Sequence, residues 1–199
     1  MNTQNDKKYA APLGAAFCPH NLIFVTASEK ASFFVSLIFF ILSISISLFI
    51  HIFLSPINNI PFRFVDIFFA FLVIIFIITL HEFLHYLTYR VFKFSSKKIK
   101  FGFNKKTLSL FCYCKGEIRI SIYRLSLIIP LLFSGLFPLI ISIIFLNYVY
   151  STAFSLAISI CSADAIILVK SFSFSNKSYI FDDPILQGFH VEDRFRITK

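Results

Sequence analysis

Ile78-Thr79-Leu80-His81-Glu82-Phe83-Leu84-His85-Tyr86-Leu87-Thr88-Tyr89 extends, with no helix breaker, the apolar run that begins at Val65. The combined length and hydropathy predict one membrane-length helix. Residues four apart share a helix face, so His81 and His85 can present their imidazoles to a single ion. Glu82 directly follows the first of them, where it can reach a water on that ion. A soluble helix could carry His-Glu-x-x-His harmlessly on its wet face, but the flanks here are Ile, Phe and Leu. Ionisable groups set in hydrocarbon are costly and mark function. The pattern reads as a metal site.

The composition agrees with a membrane setting. Of the 199 residues 57% are hydrophobic and 29 are Phe, well above soluble norms. The formal charge of +9 is carried mainly between apolar runs, as on the cytoplasmic side of a membrane protein, and this argues against a nucleic-acid partner. Cys112 and Cys114 are too close for an ordinary disulfide and do not match the Cys-x-x-Cys of zinc ribbons. They read as packing or incidental thiols.

The chain divides into a polar tail at 1–31, a four-span membrane domain at 32–175 and a polar tail at 176–199. Pro12, Gly14 and Pro19 argue against one long helix in the first tail, where His20 reads as solvent-exposed. Phe33–Leu54 is the first predicted span. His51, near its far end, lies at the opposite membrane face from His81 and is not expected to be a ligand. Residues 55–63 read as a turn, and Phe64–Tyr89 as the second span, with Asp66 as a helix-start carboxylate. The loop at 90–124 holds 10 of the 19 Lys and Arg residues and one acid, Glu117. It alternates through Ile99, Phe101 and Phe103, then Leu108, Leu110, Cys112 and Cys114, then Ile118, Ile120 and Ile122, with turn residues between. This predicts two or three short antiparallel strands at the membrane surface, resting on anionic lipid and offering an edge to an extended peptide.

The third span, 125–149, is interrupted by Pro130, Gly135 and Pro138, which predicts a kinked or partly unwound helix. The fourth, 152–170, contains a lone acid, Asp164, on a face with the small residues Cys161, Ala157 and Ala153. Small residues let helices approach closely, as a short carboxylate needs if it is to reach a shared ion. His190 reads as a surface residue of the last tail. The fold class is thus an all-α polytopic membrane protein with a small cytoplasmic β-hairpin or sheet between helices 2 and 3.

The positive-inside rule places the 90–124 loop and both termini in the cytoplasm, in a multi-pass cell-membrane arrangement. At 1.5 Å per residue, His81 and His85 lie about 13 and 7 Å below Arg90, and Asp164 about 9 Å below Lys170. All three reach one level in the inner leaflet, so Asp164 is the expected third metal ligand.

With His81-Glu82-Phe83-Leu84-His85 at the cytoplasmic end of a span, a basic strand-like segment leading through Tyr123-Arg124 to Pro130, and Asp164 in a later span, the chain resembles the putative zincin peptidase family of small bacterial membrane proteins. That family is related in plan to intramembrane metalloproteases of the site-2 protease type. Asp164 departs from the site-2 pattern, being followed by Ala165 rather than Gly. The resemblance implies a membrane zinc metallopeptidase acting on a membrane-associated protein or peptide near the cytoplasmic face. His81, His85 and Asp164 would hold Zn²⁺ with one position open for water, and Glu82 would serve as general base. Arg124, Tyr86 and Tyr123 are candidates for the oxyanion partner. The competing reading is a non-enzymatic accessory or immunity-type membrane protein with a structural or vestigial metal site.

Overall fold

The computed structural model describes residues 22–54, 64–104, 109–145, 147–183 and 188–192. The expectations for His20, for Pro12, Gly14 and Pro19 of the first tail, for the 55–63 turn and for Leu108 lie outside these residues.

Ser28 accepts a hydrogen bond from the Ala31 amide at 3.2 Å and so caps α1 (Glu29–Leu54). α2 (Phe64–Val91) carries the histidine motif. It ends where Lys93 takes φ 64° and the Phe94 amide returns to the Tyr89 carbonyl at 3.1 Å, a left-handed C-terminal cap. α1 has inverted polarity. Its buried side chains are Ser43, Ser47 and His51, while Phe33, Phe34, Ile38, Ile41, Phe49 and Phe53 face outward. In water such a helix would be unstable, since burial should favour the apolar atoms. In lipid it is the expected arrangement, because packing and hydrogen bonding rather than hydrophobicity drive helix association.

β2 (Ile99–Asn104) and β3 (Ser109–Cys114) form the hairpin predicted after α2. The third predicted strand is shorter than the alternation suggested. β4 covers only Glu117–Arg119, and α3 (Ile120–Pro130) starts at once. The Ile120 amide is taken by the Ser178 carbonyl at 3.0 Å, and Ile120, Tyr123, Arg124 and Leu127 then share a buried helical face. A π-helical turn, Leu131–Leu136, joins α3 to α4 (Phe137–Ile144). Pro130 and Pro138 lack the amides that would bond to Ser126 and Ser134 in an α-helix. The segment expected to kink or unwind widens instead, and Ile120–Ile144 continues as one helical path.

The predicted fourth span is two helices, α5 (Tyr148–Ile160) and α6 (Ser162–Ser171), bent by 41° at Cys161. α5 buries Ser151, Ala153, Ser155, Ala157 and Ser159 where it packs on α1, α2 and α4. Only side chains this small allow so many neighbours at one helix. Among the described residues, Glu29–Leu54, Val65–Val91 and Ile120–Ile144 are long and apolar enough to cross a membrane.

The terminal segments are not merely polar tails. β1 (Leu22–Thr26), β5 (Tyr179–Asp183) and β6 (Gly188–Glu192) join β4 in an antiparallel sheet ordered β1-β6-β5-β4. Strands from both ends of the chain therefore meet, which corrects the expectation of strands confined to the segment between the second and third spans. Ile118, Ile180, Phe189 and Val191 pack from this sheet against Tyr89, Tyr123, Leu127 and Ile167 at one end of the helices. Arg124 locks that junction. Its guanidinium donates to the carbonyls of Ser171 (2.6 Å) and Phe174 (2.8 Å), to Ser171 Oγ (3.1 Å) and to Asn176 Oδ1. From α3 it thereby satisfies the last carbonyl of α6, at Ser171, and that of Phe174 just beyond the helix. Lys170 adds a bond to the Thr26 carbonyl at 2.6 Å. Replacing Arg124 with Met should destabilise the fold by about 3 kcal/mol, because buried acceptors lose their donors. Thermal unfolding in detergent should show the drop.

Candidate metal centre

His81 and His85 lie one turn apart on α2, both buried, with their Nε2 atoms 3.3 Å apart. Asp164 comes from the first turn of α6, where the break at Cys161 has exposed a helix N-terminus to a carboxylate. Its Oδ2 lies 3.0 Å from His81 Nε2 and 3.2 Å from His85 Nε2. The three ligand atoms thus form a nearly equilateral triangle. Tetrahedral zinc with bonds near 2.0 Å requires ligand atoms about 3.3 Å apart. Lys170 donates to the Thr26 carbonyl at 2.6 Å rather than pairing with Asp164. The group can hold a metal ion.

Behind the triangle, His81 Nδ1 lies 3.1 Å from Ser134 Oγ of the π turn and 3.5 Å from Cys161 Sγ at the helix break. Neither contact was foreseen. Ser134 leaves no signal in the sequence because helical-wheel counting assumes an α-helix throughout.

In front of it opens a cavity of about 530 Å³ lined by His81, Glu82, His85 and Asp164, by β3, and by Asp182 and Asp183 of β5. Among the described residues the lining includes five acids (Glu29, Glu82, Asp164, Asp182 and Asp183) and no Lys or Arg, in a chain with 10 acids and 19 such bases. The cavity concentrates negative potential and favours cations against the net charge of the protein.

The edge of β3 is turned into this cavity. The Lys115 amide bonds to the Lys98 carbonyl at 2.8 Å, and the register pairs Lys100 with Tyr113 and Gly102 with Phe111. Antiparallel alternation then directs the backbone groups of Leu110, Cys112 and Cys114 away from β2. The Cys114 amide donates to Asp182 Oδ2 at 3.2 Å, and the Cys112 amide faces the Glu82 carboxylate. The edge expected to be open is therefore already capped at Cys114. Both thiols stay protonated near neutrality, burial pushing Cys114 to about 11 and Cys112 higher still. Packing rather than metal or redox chemistry accounts for them.

The remaining candidates separate clearly. Arg124 is committed to the end of α6, and Tyr86 stacks on Phe101. Of the three oxyanion candidates, Tyr123 alone lines the cavity. His51 lies on α1 against Tyr148, its Nδ1 2.7 Å from the Ser47 carbonyl, and takes no part. His190 is not a plain surface residue: it pairs with Asp183 at 3.0 Å and stacks on Phe24. Asp66 occupies the first turn of α2, as expected.

A family model described as putative zincin peptidase matches residues 74–180, more than half of the chain. This stretch contains the histidine motif, the hairpin, the π turn and Asp164. Neither a curated protein nor a solved structure matches the chain.

Asp182 provides a test of the cavity's polarity. Burial, opposed by the Cys114 amide, raises its carboxyl from 3.8 to about 7. An acid of raised folded pKa loses its proton more readily in the unfolded chain, so its contribution to stability falls as pH climbs from 3.8 to about 7. Asp182→Asn should therefore leave the melting temperature nearly unchanged at low pH. At a pH above 7 it should raise stability by an amount on the order of 3 kcal/mol. Melting curves across that range, with carboxyl infrared bands for the midpoint, check both parts.

Proposed function

The chain belongs to the putative zincin peptidase family, and from that membership we propose that it is a zinc-dependent, membrane-embedded peptidase cleaving a membrane-associated protein or peptide near the cytoplasmic face. The observation that carries this reading is the triangle of His81 Nε2, His85 Nε2 and Asp164 Oδ2, whose 3.0–3.3 Å edges fit a tetrahedral ion.

His81, His85 and Asp164 would hold the zinc. When bound, the metal lowers the pKa of a water toward neutrality and polarises the scissile carbonyl. Glu82 follows His81 in the motif and faces the same cavity. Its carboxylate accepts the water proton and delivers it to the leaving amine. The Cys112 amide beside it orients the carboxylate. An extended substrate pairs with the outward groups of β3 around Leu110, short of the position that Asp182 occupies at Cys114.

The membrane arrangement that supports this chemistry has four spans, the bent α5–α6 pair being the fourth. The basic hairpin segment and both termini lie in the cytoplasm, which keeps the positive charge inside. A break in the fourth span is tolerated where the residues just after it, Ala163 and Asp164, line a cavity rather than meet lipid.

Glu82→Gln should retain zinc and lose about 10²- to 10⁴-fold in hydrolysis of quenched peptides presented in proteoliposomes. Asp164→Ala and His85→Ala should lose the metal itself, as read by elemental analysis after dialysis. Full activity in Glu82→Gln would favour the non-enzymatic reading, and undiminished zinc in Asp164→Ala would remove that residue from the ligand set. For the fourth span, the absence of native Trp permits single-Trp probes. Leu156→Trp, outward-facing on α5, should be quenched by brominated acyl chains as strongly as Phe68→Trp on α2. An unquenched Leu156→Trp means that α5 does not meet lipid.

A further inference from the structure

We propose that Ser134 and Cys161 are positioning residues that set the tautomer and ring orientation of His81, so that the π-helical turn and the α5–α6 break together tune the affinity of the centre for its ion. The inference rests on the metal-site reading above and adds residues that the histidine motif does not contain.

Ser134 is fully buried, and its hydroxyl donates to the Pro130 carbonyl at 2.7 Å. Cys161 is also buried, and its thiol points to the Ala157 carbonyl at 3.7 Å. Each therefore presents only lone pairs to His81 Nδ1, at 3.1 Å from oxygen and 3.5 Å from sulfur. A bare Nδ1 would set three lone-pair atoms against one another in a buried site. A proton on Nδ1 gives both neighbours a donor. A neutral imidazole carries one proton, so Nε2 keeps its lone pair, and that lone pair is on the side of Asp164 Oδ2 and His85 Nε2.

The two contacts come from different elements, so they fix the ring in two directions. Ser134 belongs to the π turn, whose wider winding rotates it relative to an α-helical position. Cys161 belongs to the break that also delivers Asp164 three residues later. Gly135, beside Ser134, packs closely on the same break: a Cβ there would lie 3.3 Å from Ile158 Cγ1 and in ordinary contact, 3.5 Å, with Cys161 Sγ. π turns occur often at functional sites, and partners on the far nitrogen of a metal-binding histidine govern its affinity.

The test uses the purified full-length protein in detergent, with zinc affinity measured by chelator competition and ligand geometry by the visible spectrum of the cobalt-substituted form. Ser134→Ala should bind zinc about 10- to 100-fold more weakly and alter the cobalt spectrum. Cys161→Val, which removes the acceptor but keeps the bulk, should weaken binding in the same direction, and Cys161→Ser should restore it. Ser155→Ala is the control: equally buried, it bonds only to the Ser151 carbonyl of its own helix and should leave zinc affinity unchanged. If Ser134→Ala does not fold, the Cys161 pair reads the same nitrogen. Native affinity and an unchanged cobalt spectrum in both Ser134→Ala and Cys161→Val overturn the proposal. A native protein that takes up no stoichiometric zinc overturns the function proposed above instead.

Discussion

Two imidazole nitrogens and a carboxylate oxygen held 3.0–3.3 Å apart, with little access to water, are the constraint on which the rest of the structure depends. Lone pairs this close repel unless a cation or a proton lies among them, and low surrounding polarity makes that repulsion strong. The fold must therefore supply enough rigidity to hold the triangle in place. Two of its corners share a helix and keep their spacing by local geometry. The third is brought from 79 residues away and has to be held by packing.

Most of the distinctive features of the fold serve that third corner. The break at Cys161 turns α6 so that Asp164 stands in a first turn, where unsatisfied amides favour a negative charge. The small residues of α5 let its neighbours close around it. At the other end of α6, Arg124 holds the last carbonyl and that of Phe174 just beyond, and Lys170 ties the helix to β1. The sheet built from both ends of the chain packs on the same junction. Asp164 is thus held from above and below by elements that never touch the proposed ion.

Charge is sorted in the same spirit. Among the described residues, the bases of the 90–124 segment, including exposed Lys93, Lys97, Lys98, Lys100 and Lys115, stay out of the cavity, while acids gather inside it. A net positive protein thereby keeps a negative interior, suited to a divalent ion and to a base such as Glu82. β3 links these two regions, one edge paired with β2 and the other facing Glu82 and Asp182.

The apolar run to Leu80, the histidine spacing and the lone acid among small residues were legible in the sequence. Each depends on local periodicity or on the cost of placing charge in hydrocarbon, and neither needs a tertiary partner. The hairpin was legible for the same reason, through alternation and turn residues. Tertiary structure alone decided that Ile120 starts a helix, because the helical face of Ile120, Tyr123 and Leu127 is buried against the sheet and α6. It alone decided that the terminal segments form strands, since strand pairing across the whole chain has no local signature. Ser134 and Asp182 became visible only there as well. A hydroxyl rotated by a π turn and a carboxylate received by a distant strand edge owe their roles to atoms far away in the chain. By itself the sequence determined which groups could share an ion; the tertiary structure decided the distances between them, because only long-range packing can hold a carboxylate against two imidazoles.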